Sequence, residues 1–176
     1  MLKGLDPLLN ADLLHVLRSM GHGDDLVIVD ANFPAASMGR RVVAMDGVSA
    51  TRTLEAVLSV MPLDDFVDAP CARMQVVDDP EAVPEICQEF QAIIDRAEGG
   101  RFQLATIERF AFYERARQAF AVVQTGETRL YGNVLLKMGV IRPGVSSALH
   151  GGTATATMFL RQRAEGRRRW HVCRAR

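Results

Sequence analysis

Leu26-Val27-Ile28-Val29-Asp30-Ala31-Asn32-Phe33-Pro34 is the stretch on which the fold turns. Four consecutive apolar residues, three of them β-branched, read as a short strand buried on both faces. The run ends on a carboxylate and passes into a loop closed by proline. In an open α/β sheet, ligand-binding side chains gather at the carboxyl ends of strands, which makes Asp30 a candidate for binding. An Asx turn that opens the loop explains the same residue equally well.

Working outward, the strand is preceded by a helix. Asn10 or Asp12 can cap it, because a short side-chain acceptor satisfies free N–H groups. Leu9, Leu13, Leu14 and Leu17 give it an apolar face. Gly21 reads as its stop, in the left-handed conformation that glycine tolerates. Downstream, Arg41–Met45 reads as a strand closed by Asp46-Gly47, and 51–60 as a helix with Leu54, Val57, Leu58 and Met61 on one side. Met74–Val77 is strand-like, and Asp79-Pro80-Glu81 opens a helix that runs towards Glu98-Gly99-Gly100. Phe102–Ile107, Phe120–Gln124 and Val134–Val140 read as strands, with a helix over Phe110–Ala119. There is no internal repeat. Alternating helices and strands predict one α/β domain over residues 1–141, a mixed sheet flanked by helices.

The chain of 176 residues carries no net charge, but the charge is unevenly spread. Residues 142–176 hold eight arginines and one acid, Glu165, and carry +7; residues 1–141 carry −7. An acidic body repels nucleic acid and anionic membranes, so neither is expected as its partner. The basic tail follows Arg142-Pro143-Gly144 and lacks a core-facing period; it reads as a poorly ordered extension of the domain. Its arginines leave a nucleic-acid partner as a separate alternative. No apolar run reaches the ~20 residues of a membrane helix. Cys71, Cys87 and Cys173 are widely spaced, which fits a reducing, cytoplasmic setting and neither a disulfide framework nor a zinc site. No dinucleotide, Walker or zinc-protease motif occurs, so no cofactor and no metal are expected.

Residues 1–141 contain two histidines, His15 and His22. His15 reads as a helix-surface or packed side chain. His22 lies in Gly21-His22-Gly23-Asp24, where flanking glycines permit a tight turn and close approach of a ligand. Imidazole as a residue type suits proton transfer near neutrality. The competing reading is a solvated histidine at a helix end. Arg109-Phe110-Ala111-Phe112-Tyr113-Glu114-Arg115 mixes cations with aromatics, as a sugar site does, but also as an amphipathic helix does. Tyr131-Gly132-Asn133, by itself, reads as a turn.

Five segments together resemble the RbsD/FucU family, in its L-fucose mutarotase branch. They are Met1–Gly4 with Asp6–Leu9; Met20–Asp24; Asp30–Pro34; Arg109–Ala116; and Tyr131–Lys137, in family order. The resemblance implies an isomerase that interconverts the α and β anomers of L-fucose without a cofactor. It implies that His22 is the catalytic proton donor and that Asp30, Arg109, Tyr131, Gly132 and Asn133 bind substrate, with Tyr113 in support. It also implies a homo-oligomer, typically a decamer, with sites near subunit contacts. A mutarotase for another sugar, such as a D-ribose pyranase, and a non-catalytic sugar-binding module are the alternatives. Residues 142–176 have no counterpart in the resemblance.

Overall fold

The computed structural model describes residues 2–143. These form a six-stranded sheet in the order β2-β5-β1-β6-β3-β4. The strands are β1 (Asp25–Val29), β2 (Val42–Met45), β3 (Cys71–Met74), β4 (Ala105–Ile107), β5 (Ala121–Thr125) and β6 (Val134–Lys137). β6 runs antiparallel to both of its neighbours, β1 and β3; the other pairings are parallel. The mixed α/β sheet expected from the sequence is therefore present.

Side chains alternate across each strand, and helices cover both faces. On one face Leu26 and Ile28 of β1 pack with α1 (Ala11–Ser19), α3 (Ala50–Leu58) and α4 (Glu85–Glu98). On the other, Val27 and Val29 pack with Phe33, with Ala35 of the single-turn α2 (Ala35–Met38), and with Phe112 and Ala116 of α5 (Arg109–Gln118). Phe112 is fully buried at the centre of this second cluster. Phe112→Ala removes most of that side chain's packing and is expected to cost about 3–5 kcal/mol in urea unfolding. A loss below about 1 kcal/mol would contradict the packing described.

The elements depart from the sequence reading in several places, and four of these have a local cause. α4 begins at Glu85 with Pro84 as its cap, rather than near Pro80. A residue before proline is driven out of the helical region, so a helix could not run through Val83-Pro84. β3 ends at Met74, where 74–77 was expected to be strand, and the chain turns with Asp78 at φ 63°. The Phe102–Ile107 strand is shortened to 105–107, because the Gln91 amide bonds the Phe102 carbonyl and the Leu104 N–H. α1 stops with Met20 in extended geometry, and Gly23 rather than Gly21 is left-handed, at φ 86°.

The topology decides which residues can meet. The parallel strands send their carboxyl ends to one edge of the sheet, so Asp30, Met74, Arg109 and Glu127 lie on that edge or just beyond it. The start of antiparallel β6 brings Tyr131-Gly132-Asn133 there as well. The opposite, amino edge holds the turn before β1, which contains His22. The expected extension of residues 142–176 lies, from 144 onward, outside the described residues. Among the described residues no helix is long and apolar enough to cross a membrane.

Candidate active site

Asp30 leaves β1 buried, 4% exposed, and is tied to β6 by a reciprocal pair of bonds. Its N–H donates to Asn133 Oδ1 at 3.1 Å, and its Oδ2 accepts from Asn133 Nδ2 at 2.8 Å. The Asn32 N–H donates to Oδ1 at 2.9 Å, which is the Asx turn expected of this loop. Burial pushes the carboxyl above the ordinary aspartate range, against the opposing pull of the Asn32 N–H, the Asn133 amide and the Phe33 and Gly132 N–H groups. The binding and turn readings of Asp30 are therefore compatible: the turn fixes one oxygen and orients the carboxylate.

A cavity of about 200 Å³ opens over this carboxylate. Asp30, Asn133, Met74, Val77, Arg109, Tyr113 and Tyr131 are among the residues that line it. Arg109 starts α5, directly after β4, and its guanidinium lies 4.7 Å from the centroid of the Phe110 ring. Its Nε is the one buried side-chain nitrogen or oxygen among the described residues that lacks a hydrogen-bond partner. Such a donor is unfavourable when left empty, which is the condition a polar ligand relieves. Phe33 packs edge-on against Tyr113, with ring centroids 5.4 Å apart, and fixes one aromatic wall.

Tyr131 adopts φ 63°, an uncommon left-handed geometry for a non-glycine residue, and such geometry concentrates at functional sites. The Val77 N–H donates to its hydroxyl at 3.1 Å. Gly132 is closely packed: an added Cβ would lie 2.8 Å from Glu127 Cγ and 3.1 Å from Ile86 Cδ1, so the Glu127 side chain would have to shift. Asp30, Arg109, Tyr113, Tyr131 and Asn133 thus line one carboxyl-edge pocket, while Gly132 lies between two of them and packs against Glu127 and Ile86.

His22 does not join them within the chain. It precedes β1 whereas Asp30 follows it, and the intervening strand alone spans roughly 16 Å. His22 Nε2 lies 3.1 Å from Asp64 Oδ1, and its ring centroid is 5.3 Å from that of Phe66. Its side chain is 46% exposed, whereas that of Asp64 is 3% exposed. Burial raises the Asp64 carboxyl, but the Phe66 N–H and the His22 imidazole outweigh it and hold it below the ordinary range. Asp64 therefore accepts from Nε2 and leaves Nδ1 free to face outward chemistry. The turn is pinned further: the Gly23 N–H donates to the Met138 carbonyl at 2.9 Å and Lys137 Nζ to the Gly23 carbonyl at 2.9 Å. His15 is exposed on α1.

The sequence reading missed Asp64, Met74 and Val77. No spacing links Asp64 to a histidine 42 positions earlier, and Met74 and Val77 carry no polar signal. Among the described residues no group of three or more His, Cys, Asp or Glu side chains is placed to hold a metal ion.

Comparison with known proteins agrees with this arrangement of elements. The chain is 48% identical over 146 residues to the human fucose mutarotase, spanning 80% of this chain and 94% of that protein. It is 45% identical over 140 residues to the L-fucose mutarotase of Histophilus somni strain 2336, spanning 80% and 97%. The fucose mutarotase of Streptococcus pneumoniae, solved in complex with L-fucose, superposes with a TM-score of 0.74 at 38% identity, covering 80% of this chain and all of that one. The model of the RbsD / FucU transport protein family matches residues 3–141, and with these relatives it shows that the chain belongs to that family.

Proposed function

We propose that this protein is an isomerase that interconverts the α and β anomers of L-fucose. An arginine with an orphaned Nε, Arg109, and the anchored Asp30 carboxylate line the same monosaccharide-sized cavity, and this carries the reading. Ring opening removes the proton from the anomeric hydroxyl and delivers one to the ring oxygen as the C1–O5 bond breaks. Rotation about C1–C2 and the reverse transfer close the ring on the other face. Asp30 accepts a hydrogen bond from a sugar hydroxyl, Arg109 donates to another oxygen, and Asn133 and Tyr131 fix the ring's orientation. No electron transfer or covalent intermediate is needed.

His22 supplies the proton from an adjoining copy in this reading. Within one chain it stands at the far edge of the sheet, so a head-to-tail contact is required to bring it to a pocket. Apolar side chains are exposed near both features: Phe66 beside His22, and Val77, Leu130 and Phe110 around the pocket. A contact of opposite edges would bury both sets, and a heterologous contact generates a ring when its rotation closes; the family resemblance implies a ring-shaped oligomer, typically a decamer. Buried free thiols at Cys71 and Cys87 fit a cytoplasmic location, and burial pushes Cys71 up to about 12.

The test is NMR line exchange on free L-fucose with and without protein, with D-ribose in parallel. Accelerated exchange of L-fucose, and slower exchange of D-ribose, is expected. Sugar binding without acceleration would leave only a binding module. In the same reading, residues 1–141 suffice for activity. A protein ending at Pro143 should match the full chain in exchange rate and in gel-filtration subunit number; a large difference in either would give the Arg-rich extension a role.

A further inference from the structure

We propose that Glu127 is a positioning residue: paired with Arg129, it clamps the turn before β6 so that Gly132 and Asn133 meet the Asp30 carboxylate in working geometry. The inference rests on the mutarotase reading of the pocket. Glu127 is 4% exposed and belongs to neither the pocket lining nor the motif segments. Its contacts nevertheless reach both strands of the site. Its backbone carbonyl accepts from the Ala31 N–H at 2.9 Å, directly after Asp30. Its Oε1 accepts from the Arg129 N–H at 3.0 Å and from Arg129 Nε at 2.9 Å, and Oε2 accepts from Arg129 Nη2 at 2.9 Å.

The bonds to Arg129 close a tight turn over residues 127–129, two positions before Tyr131. Arg129 is braced in turn by Glu89 of α4, with Nη1 to Oε1 at 2.7 Å. The Glu127 methylene carbon fills the space in which a Cβ at Gly132 would sit. Gly132 adjoins Asn133, whose side chain bonds both the N–H and the carboxylate of Asp30, so a shift of the Glu127 side chain against Gly132 is passed on through one residue. The pair is largely shielded on the Glu127 side, where a charge-assisted, forked contact holds geometry best. The Arg129 side chain, helped by the Arg129 N–H and opposed by burial, holds the Glu127 carboxyl below the ordinary glutamate range.

A pH profile separates positioning from plain structural support. The charged and titratable side chains around Asp30 are Arg109 and Tyr113 of α5, Tyr131, and Glu127 with Arg129 behind the turn. Loosening the Gly132 and Asn133 bonds removes groups that favour the Asp30 carboxylate, so its titration moves upward. The experiment is anomer exchange of L-fucose against pH for wild type, Glu127→Gln and Arg129→Met. A small displacement of a binding group costs up to ~10²-fold in rate, and a loss in that range is expected for Glu127→Gln. The acid limb of both variants should move to higher pH, and Arg129→Lys should recover part of the shift. Should Glu127→Gln fail to fold, Arg129→Met, altered at a 41% exposed side chain, carries the same test. Acid limbs that coincide with wild type, whatever happens to melting temperature, would overturn the proposal while leaving the mutarotase reading intact. Absence of exchange by the wild type would instead remove that reading.

Discussion

His22→Ala is expected to slow L-fucose anomer exchange by roughly 10²–10⁴-fold, the usual worth of a positioned acid or base, while the fold survives. The imidazole is half exposed, lies against Phe66 and Asp64 and belongs to neither core cluster, so its removal opens no core cavity. Asp64 keeps its bond from the Phe66 N–H at 3.1 Å and is not stranded. The sugar pocket at the other edge of the same chain is untouched, so the variant should still bind L-fucose. Saturation-transfer NMR over a range of sugar concentrations reads rate and saturation together. An exchange rate equal to wild type would remove His22 from the chemistry; loss of sugar binding with rate would show that it acts on the pocket's shape instead.

Asp30→Ala should produce the second large effect. A hydrogen bond to a charged group is worth about 1.5–3 kcal/mol, so exchange at low sugar concentration should fall roughly ten- to a hundredfold or more. The backbone N–H of residue 30 still reaches Asn133 Oδ1, so the strand end should hold its place. The wild-type pH profile follows from the same group. The ionised carboxylate is the working form, and burial raises its titration above the usual aspartate range, so activity falls as pH drops through that raised value. Stability runs the other way. A carboxyl whose folded titration is raised favours the fold below its unfolded value, and that contribution is lost as pH rises through the folded one. Activity and this share of stability should therefore cross over in the same pH window. In the Asp30→Ala variant both dependences should vanish from that window; an unchanged acid limb would assign it to another group.

Much of this was legible in the sequence because it is local. Leu26–Val29 declared a buried strand, and Asp30 at its end stood out as a candidate for binding or for an Asx turn, since both follow from pattern and strand polarity. Arg109 and Tyr131-Gly132-Asn133 gave no such signal alone. Their meaning depends on β6 running antiparallel between β1 and β3, a pairing that no periodicity encodes. Asp64 was invisible for the same reason: its partner is distant in the chain and the bond is made by tertiary structure. Proline spacing explains the misplaced start of α4, where the second proline, Pro84, and not Pro80, sets the boundary. His22 and Asp30 are only eight positions apart in sequence. Extended chain between them places the two at opposite ends of a strand.

The central claim is that a working site is assembled from the His22 edge of one copy and the Asp30 pocket of the next. Co-expression of differently tagged His22→Ala and Asp30→Ala chains, with purification of assemblies carrying both tags, tests it most directly. In randomly mixed assemblies about a quarter of head-to-tail contacts join an intact pocket to an intact histidine. Exchange is therefore predicted to recover to about a quarter of the wild-type rate, from two variants each nearly inert alone. Mixed assemblies that remain as inactive as their parents would contradict the account.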